Sequence, residues 1–144
     1  MDIYLLNTVE GLKPCYDDDY DKKKKLKIGE KYKAKIVLAR NLEFHRKYFK
    51  LIHCAWAYQK EDSVEFFKHD VEIFRKTVEI AAGCCDTVYN ISLKAWTETP
   101  KSIAFDKMDE IEFRDLYENV KRVLFTVFLK DIPEHEFMRN LSNF

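Results

Sequence analysis

"EKYKAKIVLARNLEFHRKYFKLIHCAW", residues 30–56, changes its hydrophobic period in mid-run, and the fold class turns on that change. Over residues 30–40, Lys31, Lys33 and Lys35 alternate with Tyr32, Ala34 and Ile36, the period of two of a half-exposed strand with a lysine-lined outer face. From Asn41 onward, Phe44, Tyr48, Leu51, Ile52, Ala55 and Trp56 recur at helical spacing, and Asn41 is a residue type that caps helix starts. The spacing predicts a helix over 42–59. A strand feeding a helix makes the chain a mixed one, and the flanks extend the pattern.

Residues 2–7, Asp-Ile-Tyr-Leu-Leu-Asn, read as a short buried strand, and 11–27 as a charged loop, mobile over 13–27. Beyond Ser63, Phe67, Val71, Phe74 and Val78 mark a second helix that Gly83 is placed to end. "CDTVYNISLKAWTET", residues 85–99, has the β-branched and aromatic content of two strands around a turn near Asn90. Asp106 is a candidate cap for a helix over 108–130, with Phe113, Leu116, Tyr117, Val120, Leu124, Val127 and Phe128 as its apolar stripe, and a short helix over 134–141 follows Pro133. The order ββααββα predicts an α+β fold, a small antiparallel sheet packed with about three helices, in a single domain over 1–144.

With 144 residues, 47% of them hydrophobic, the chain is long enough for one real core and too apolar for a disordered protein. No run approaches the roughly 18 to 20 apolar residues of a membrane span, and the first residues lack a secretory signal's basic start, so a cytosolic location is expected. Cys15, Cys54, Cys84 and Cys85 lie at no metal-ligand spacing and read as reduced, mostly buried thiols. There is no P-loop, dinucleotide fingerprint or Gly-x-Ser-x-Gly elbow.

The net charge is zero but lopsided. Residues 22–50 carry twelve Lys/Arg against Glu30 and Glu43, while residues 106–118 carry six acids against two bases. A basic pole suits an anionic partner, or self-association with an acidic pole. Within the pole, Arg40, Arg46 and Lys47 surround a helix start, where free N–H groups and partial positive charge favour phosphate. Lys50 extends their exposed face, Lys31, Lys33 and Lys35 add the neighbouring strand, and Tyr48 and Phe49 offer stacking surfaces. One reading is a groove for a nucleic-acid backbone; the other is a packed helix whose polar face is basic.

His45 and His53 are eight apart on one helix, about 12 Å along its axis, too far to share a metal. His45 suits an orienting, phosphate-contacting or packed role. Asp106, Asp109, Glu110 and Glu112 could gather as metal ligands, yet acids in a first helical turn are already favoured by the helix dipole.

"RNLEFHRKYFKLIHCAW", residues 40–56, resembles the Asn-x-x-Phe-His-Arg-Lys-aromatic-Phe segment of a family of uncharacterised proteins encoded by tailed phages and prophages. "KSIAFDKMDEIEFRDLYENV", residues 101–120, is similar to its second signature, and "VEIFRKTVEIAAG", residues 71–83, to its middle section. The likeness covers about 28–124. Leu42 stands where that family has proline and Ala104 where it has serine. The layout is also similar to the phage NinB/Orf recombination mediators, which bind single-stranded DNA and the host's single-strand-binding protein. That likeness implies a dimeric accessory factor in the host cell's cytoplasm, with Arg40, Arg46, Lys47 and Lys50 on phosphate and Lys101 and Ser102 at the same groove.

The expected function is noncatalytic binding of nucleic acid, single-stranded DNA ahead of RNA or duplex, through Lys31, Lys33, Lys35, Arg40, Asn41, His45, Arg46, Lys47, Lys50, Lys101 and Ser102, with no metal or cofactor. The alternative is a phage factor that binds a host enzyme or defence complex through Asp109, Glu112 and Asp115, and the third is a metal-dependent nuclease.

Overall fold

Leu5–Thr8 (β1) and Gly11–Pro14 (β2) pair as an antiparallel hairpin in register Leu5 with Pro14 and Thr8 with Gly11. They belong to the first of two compact units, Met1–Ile36 and Val37–Phe144, into which the computed structural model of residues 1–144 divides. The expected first strand is present but not buried: Leu5 and Leu6 are exposed, since a two-stranded hairpin has little to cover it. The expected loop that follows contains β2 and the helix Asp17–Lys24 (α1). Asp17, Asp18 and Asp19 occupy its first turn and Lys22, Lys23 and Lys24 its last, the order that the helix dipole favours.

No strand forms over 30–40, although the alternation there is regular. Tyr32 and Ile36 are exposed along with Lys31, Lys33 and Lys35. A strand is held by partner hydrogen bonds as well as by pattern, and none pair with this segment.

The second unit is built on Leu42–Ala57 (α2), whose cap is Asn41: its Oδ1 accepts from the Phe44 N–H at 3.0 Å. The second expected helix is Val71–Ala81 (α4), starting after Phe67, and a short helix that the spacing does not predict, Glu61–Phe66 (α3), precedes it. Lys68 and His69 take positive φ between them, and Asp70 restarts the helix by accepting from the Glu72 N–H at 2.8 Å. At its far end, Gly83 (φ +84) lets its own N–H reach the Ile80 carbonyl and that of Cys84 the Glu79 carbonyl, which closes α4 as a Schellman motif.

Cys85–Asn90 (β3) and Ala95–Pro100 (β4) form the hairpin expected around Asn90, in a sheet separate from β1 and β2. The chain is α+β, with two such hairpins instead of one sheet. The long late helix is Glu110–Val123 (α5), capped by Asp109 instead of Asp106. It ends in a π turn, Leu124–Phe128, where Thr126 Oγ1 donates back to the Arg122 carbonyl. Glu134–Ser142 (α6) closes the unit.

α2 packs on α4 and α6, and α4 on α5 and β4. Tyr48, Leu51 and Ile52 of α2, Phe74 and Val78 of α4, Phe113 and Val120 of α5, and Phe137 of α6 form one core, each buried aromatic contributing about 1.5–3 kcal/mol. No helix is long and apolar enough to cross a membrane.

Candidate nucleic-acid interface

At the start of α2, the expected phosphate site, the protein's own carboxylate takes the N–H of the cap residue. Glu110 Oε2 accepts from the Asn41 N–H at 2.8 Å, while Glu110's own N–H donates to the Leu38 carbonyl at 3.2 Å. Asn41 spends its side chain on the cap. Arg40 is likewise turned inward, its side chain 2% exposed. Its guanidinium donates to the carbonyls of Ile103 (3.0 Å) and Met108 (3.2 Å), lies 3.6 Å from the Phe113 ring centroid, and stands 3.9 Å from Glu110. The side chains of Arg40 and Asn41, both expected at phosphate because they stand at a helix start, are engaged within the protein.

Arg40 also fixes His45. Guanidinium only donates, so the 2.8 Å contact from Arg40 Nη2 makes His45 Nδ1 the acceptor and leaves the proton on Nε2. Burial, then the charge of Arg40, holds the His45 pKa below its ordinary value. The ring packs among Phe49, Phe105 and Phe113.

His45 nevertheless contributes to the walls of two cavities. One, about 470 Å³, is lined by His45, Arg46, Phe49, Lys50, His53 and Phe144. The other, about 510 Å³, is lined by His45, Arg75, Lys76 and Glu79 on the helical side and by the segment Pro100–Ala104. Lys101 and Ser102 thus share a cavity with His45, while Arg46 and Lys50 line the other one with it. Lys47 lines neither cavity; its ammonium lies over Tyr117 (5.1 Å) and Phe44 (5.8 Å). Arg46, Lys50, Lys76 and Lys101 are exposed, and none enters an ion pair. Lys31, Lys33 and Lys35 lie in the other unit and are exposed too.

Lys76, His53 and Phe144 were missed by sequence reading, as was a buried cluster beneath the second cavity. Glu79 Oε1 accepts from Tyr48 Oη at 2.6 Å and from Arg75 Nη1 at 2.7 Å, and Glu79 is fully buried with its Oε2 unpartnered. Burial, with the Glu79 charge, pushes the Tyr48 phenol far up. Burial alone would lower Arg75, but Glu72 and Glu79 more than reverse it. Cys84 is pushed up by burial and by Glu79. The i,i+4 spacing of Arg75 and Glu79, next to the core positions Phe74 and Val78, was the signal for this pair.

The four acids weighed as metal ligands have other roles or stay apart. Glu110 is buried against Arg40 and Asn41, Asp109 caps α5 by accepting from the Glu112 N–H at 2.9 Å, and Asp106 is exposed beside Lys107. No group of three His, Cys, Asp or Glu side chains is arranged to hold a metal ion. Glu112 and Asp115 are exposed on α5.

A family model described as "Protein of unknown function (DUF1367)" matches residues 5–68 and 60–140. Neither a curated protein nor a solved structure gives a match.

Proposed function

The chain belongs to this DUF1367 family, which carries no assigned activity, and from that premise we propose that it is a noncatalytic nucleic-acid-binding protein, with single-stranded DNA as its ligand. The observation that carries the reading is that exposed, unpaired cations line both cavities that share His45: Arg46 and Lys50 of α2 the first, Lys76 of α4 and Lys101 after β4 the second. Two separate segments supply the exposed cations of the second, so this cleft is not one helix's solvated face. The likeness to phage proteins supports an accessory role in phage recombination or replication, in the cytoplasm of the bacterial host and as a homodimer.

The test is anisotropy titration of labelled single-stranded and duplex DNA at two salt concentrations, beside Arg46→Glu/Lys50→Glu and Lys76→Glu/Lys101→Glu. Each phosphate neutralised on a single strand releases about 0.7 counterion, so affinity falls steeply with salt. Both double variants should lose most of the binding while keeping the melting temperature, because all four side chains are exposed. Unchanged binding in both would overturn the assignment.

A second reading, capture of a host enzyme or defence complex, draws on the other pole. Glu112 and Asp115 are exposed without an ion pair, and Ile111 beside them is 59% exposed. Absence of DNA binding even at low salt would favour it.

A further inference from the structure

The hairpin of β3 and β4 carries the largest exposed aromatic of the second unit. Trp96 is 70% exposed and its cross-strand partner Tyr89 47%, their rings 5.4 Å apart edge to face. Side chains alternate across a strand, so Tyr89 and Trp96 share a face with the pairs Thr87–Glu98 and Cys85–Pro100. Pro100 lines the second cavity, next to Lys101. The aromatic pair therefore lies on the same face as that cavity's edge, roughly 13 Å along the strand at about 3.3 Å per residue. Lys94, also exposed, stands in the turn at the hairpin's outer end, where Asn90 Oδ1 accepts from the Leu93 N–H.

From this arrangement we propose that the hairpin is a base-stacking platform, on which Trp96 and Tyr89 hold bases of a single strand whose phosphates run between Lys94 and Lys101. The proposal rests on the nucleic-acid reading above and names how the unpaired bases are held. An exposed indole and phenol, with Lys94 in the turn beyond one end and Lys101 just past the other, suit a ligand with π faces and an anionic backbone. An apolar protein partner would have no use for the two cations. Duplex DNA presents no free base face, so the platform also supplies the single-strand preference. Glu98 lies on the same face between the aromatic pair and Pro100, where it opposes a passing phosphate.

The experiment uses the whole chain with Trp56→Phe, leaving Trp96 as the sole tryptophan of the original two. Titration with an oligothymidylate of about 25 residues should quench Trp96 fluorescence in step with anisotropy. Trp96→Ala should weaken single-strand binding about tenfold with the melting temperature unchanged. Glu98→Gln should strengthen it about twofold to threefold, an effect that a merely structural tryptophan would not accompany. DNA binding with no Trp96 quenching and no loss in Trp96→Ala overturns the platform while leaving the basic cleft standing. A Trp96→Ala protein that changes oligomeric state by sedimentation but not DNA affinity overturns it in favour of a contact between copies. No DNA binding by any form overturns both readings.

Discussion

Arg40 answers at the scale of one residue why a basic helix start need not be a phosphate site. A guanidinium out of water requires acceptors and a counter-charge, and Arg40 has two backbone carbonyls, the His45 ring nitrogen, Glu110 and the face of Phe113. Removing Arg40 leaves the Ile103 and Met108 carbonyls without their donor and Glu110 with the exposed Arg114, at 3.3 Å, as its remaining cation. Arg40→Met should therefore cost about 1–3 kcal/mol, read as a fall in the denaturation midpoint, and a loss under about 1 kcal/mol would show that the cluster contributes little. Melts of the unaltered chain across pH 5.5 to 8 should carry the His45 signature. Above its unfolded pKa, about 6.5, His45 is neutral in both states and adds nothing. As pH falls through that value the unfolded chain takes a proton that the folded chain resists, so stability declines until the lower folded pKa is passed.

At the scale of elements, capping chemistry decided which boundaries hold. Asn41 caps α2 and should be worth about 1 kcal/mol, so Asn41→Ala should lower stability by that amount and leave DNA affinity unchanged. A loss of affinity without a loss of stability would return Asn41 to the ligand site. Local signals of this kind were readable: Asn41, Gly83, Asn90 and Pro133 all mark real ends or turns. What periodicity could not reveal was partnership. The lysine alternation over 30–40 looks like a strand but pairs with nothing, and the apolar spacing from Phe67 to Val78 runs through the break at Lys68 and His69. The site divides in the same way. The exposed cations Arg46 and Lys50 were legible as one face of one helix. The arrival of Lys76 and Lys101 beside His45, and the inward turn of Arg40, depend on contacts distant in sequence.

At the scale of the whole molecule, charge that looks like a pole in sequence is partly cancelled locally. The acids of 17–21 and the lysines that follow share α1, where Lys22 meets Asp19 at 3.3 Å and Lys24 meets Asp21 at 2.8 Å. The Lys24 charge lowers the Asp21 pKa through that contact. Lys22 and Lys24 are poor candidates for a phosphate backbone, because each would have to leave a carboxylate to reach one. Lys31, Lys33 and Lys35 differ: they are exposed, lie outside any helix or strand, and enter no ion pair. If all three neutralise phosphate, the slope of log affinity against log salt should fall by about 2 in Lys31→Ala/Lys33→Ala/Lys35→Ala, at about 0.7 per contact. Lys22→Ala/Lys24→Ala should leave the slope where it is. Anisotropy titrations of both variants over a salt series separate the two cases, and equal slopes throughout would confine the DNA contact to the unit Val37–Phe144, with Arg46, Lys50, Lys76 and Lys101 carrying it.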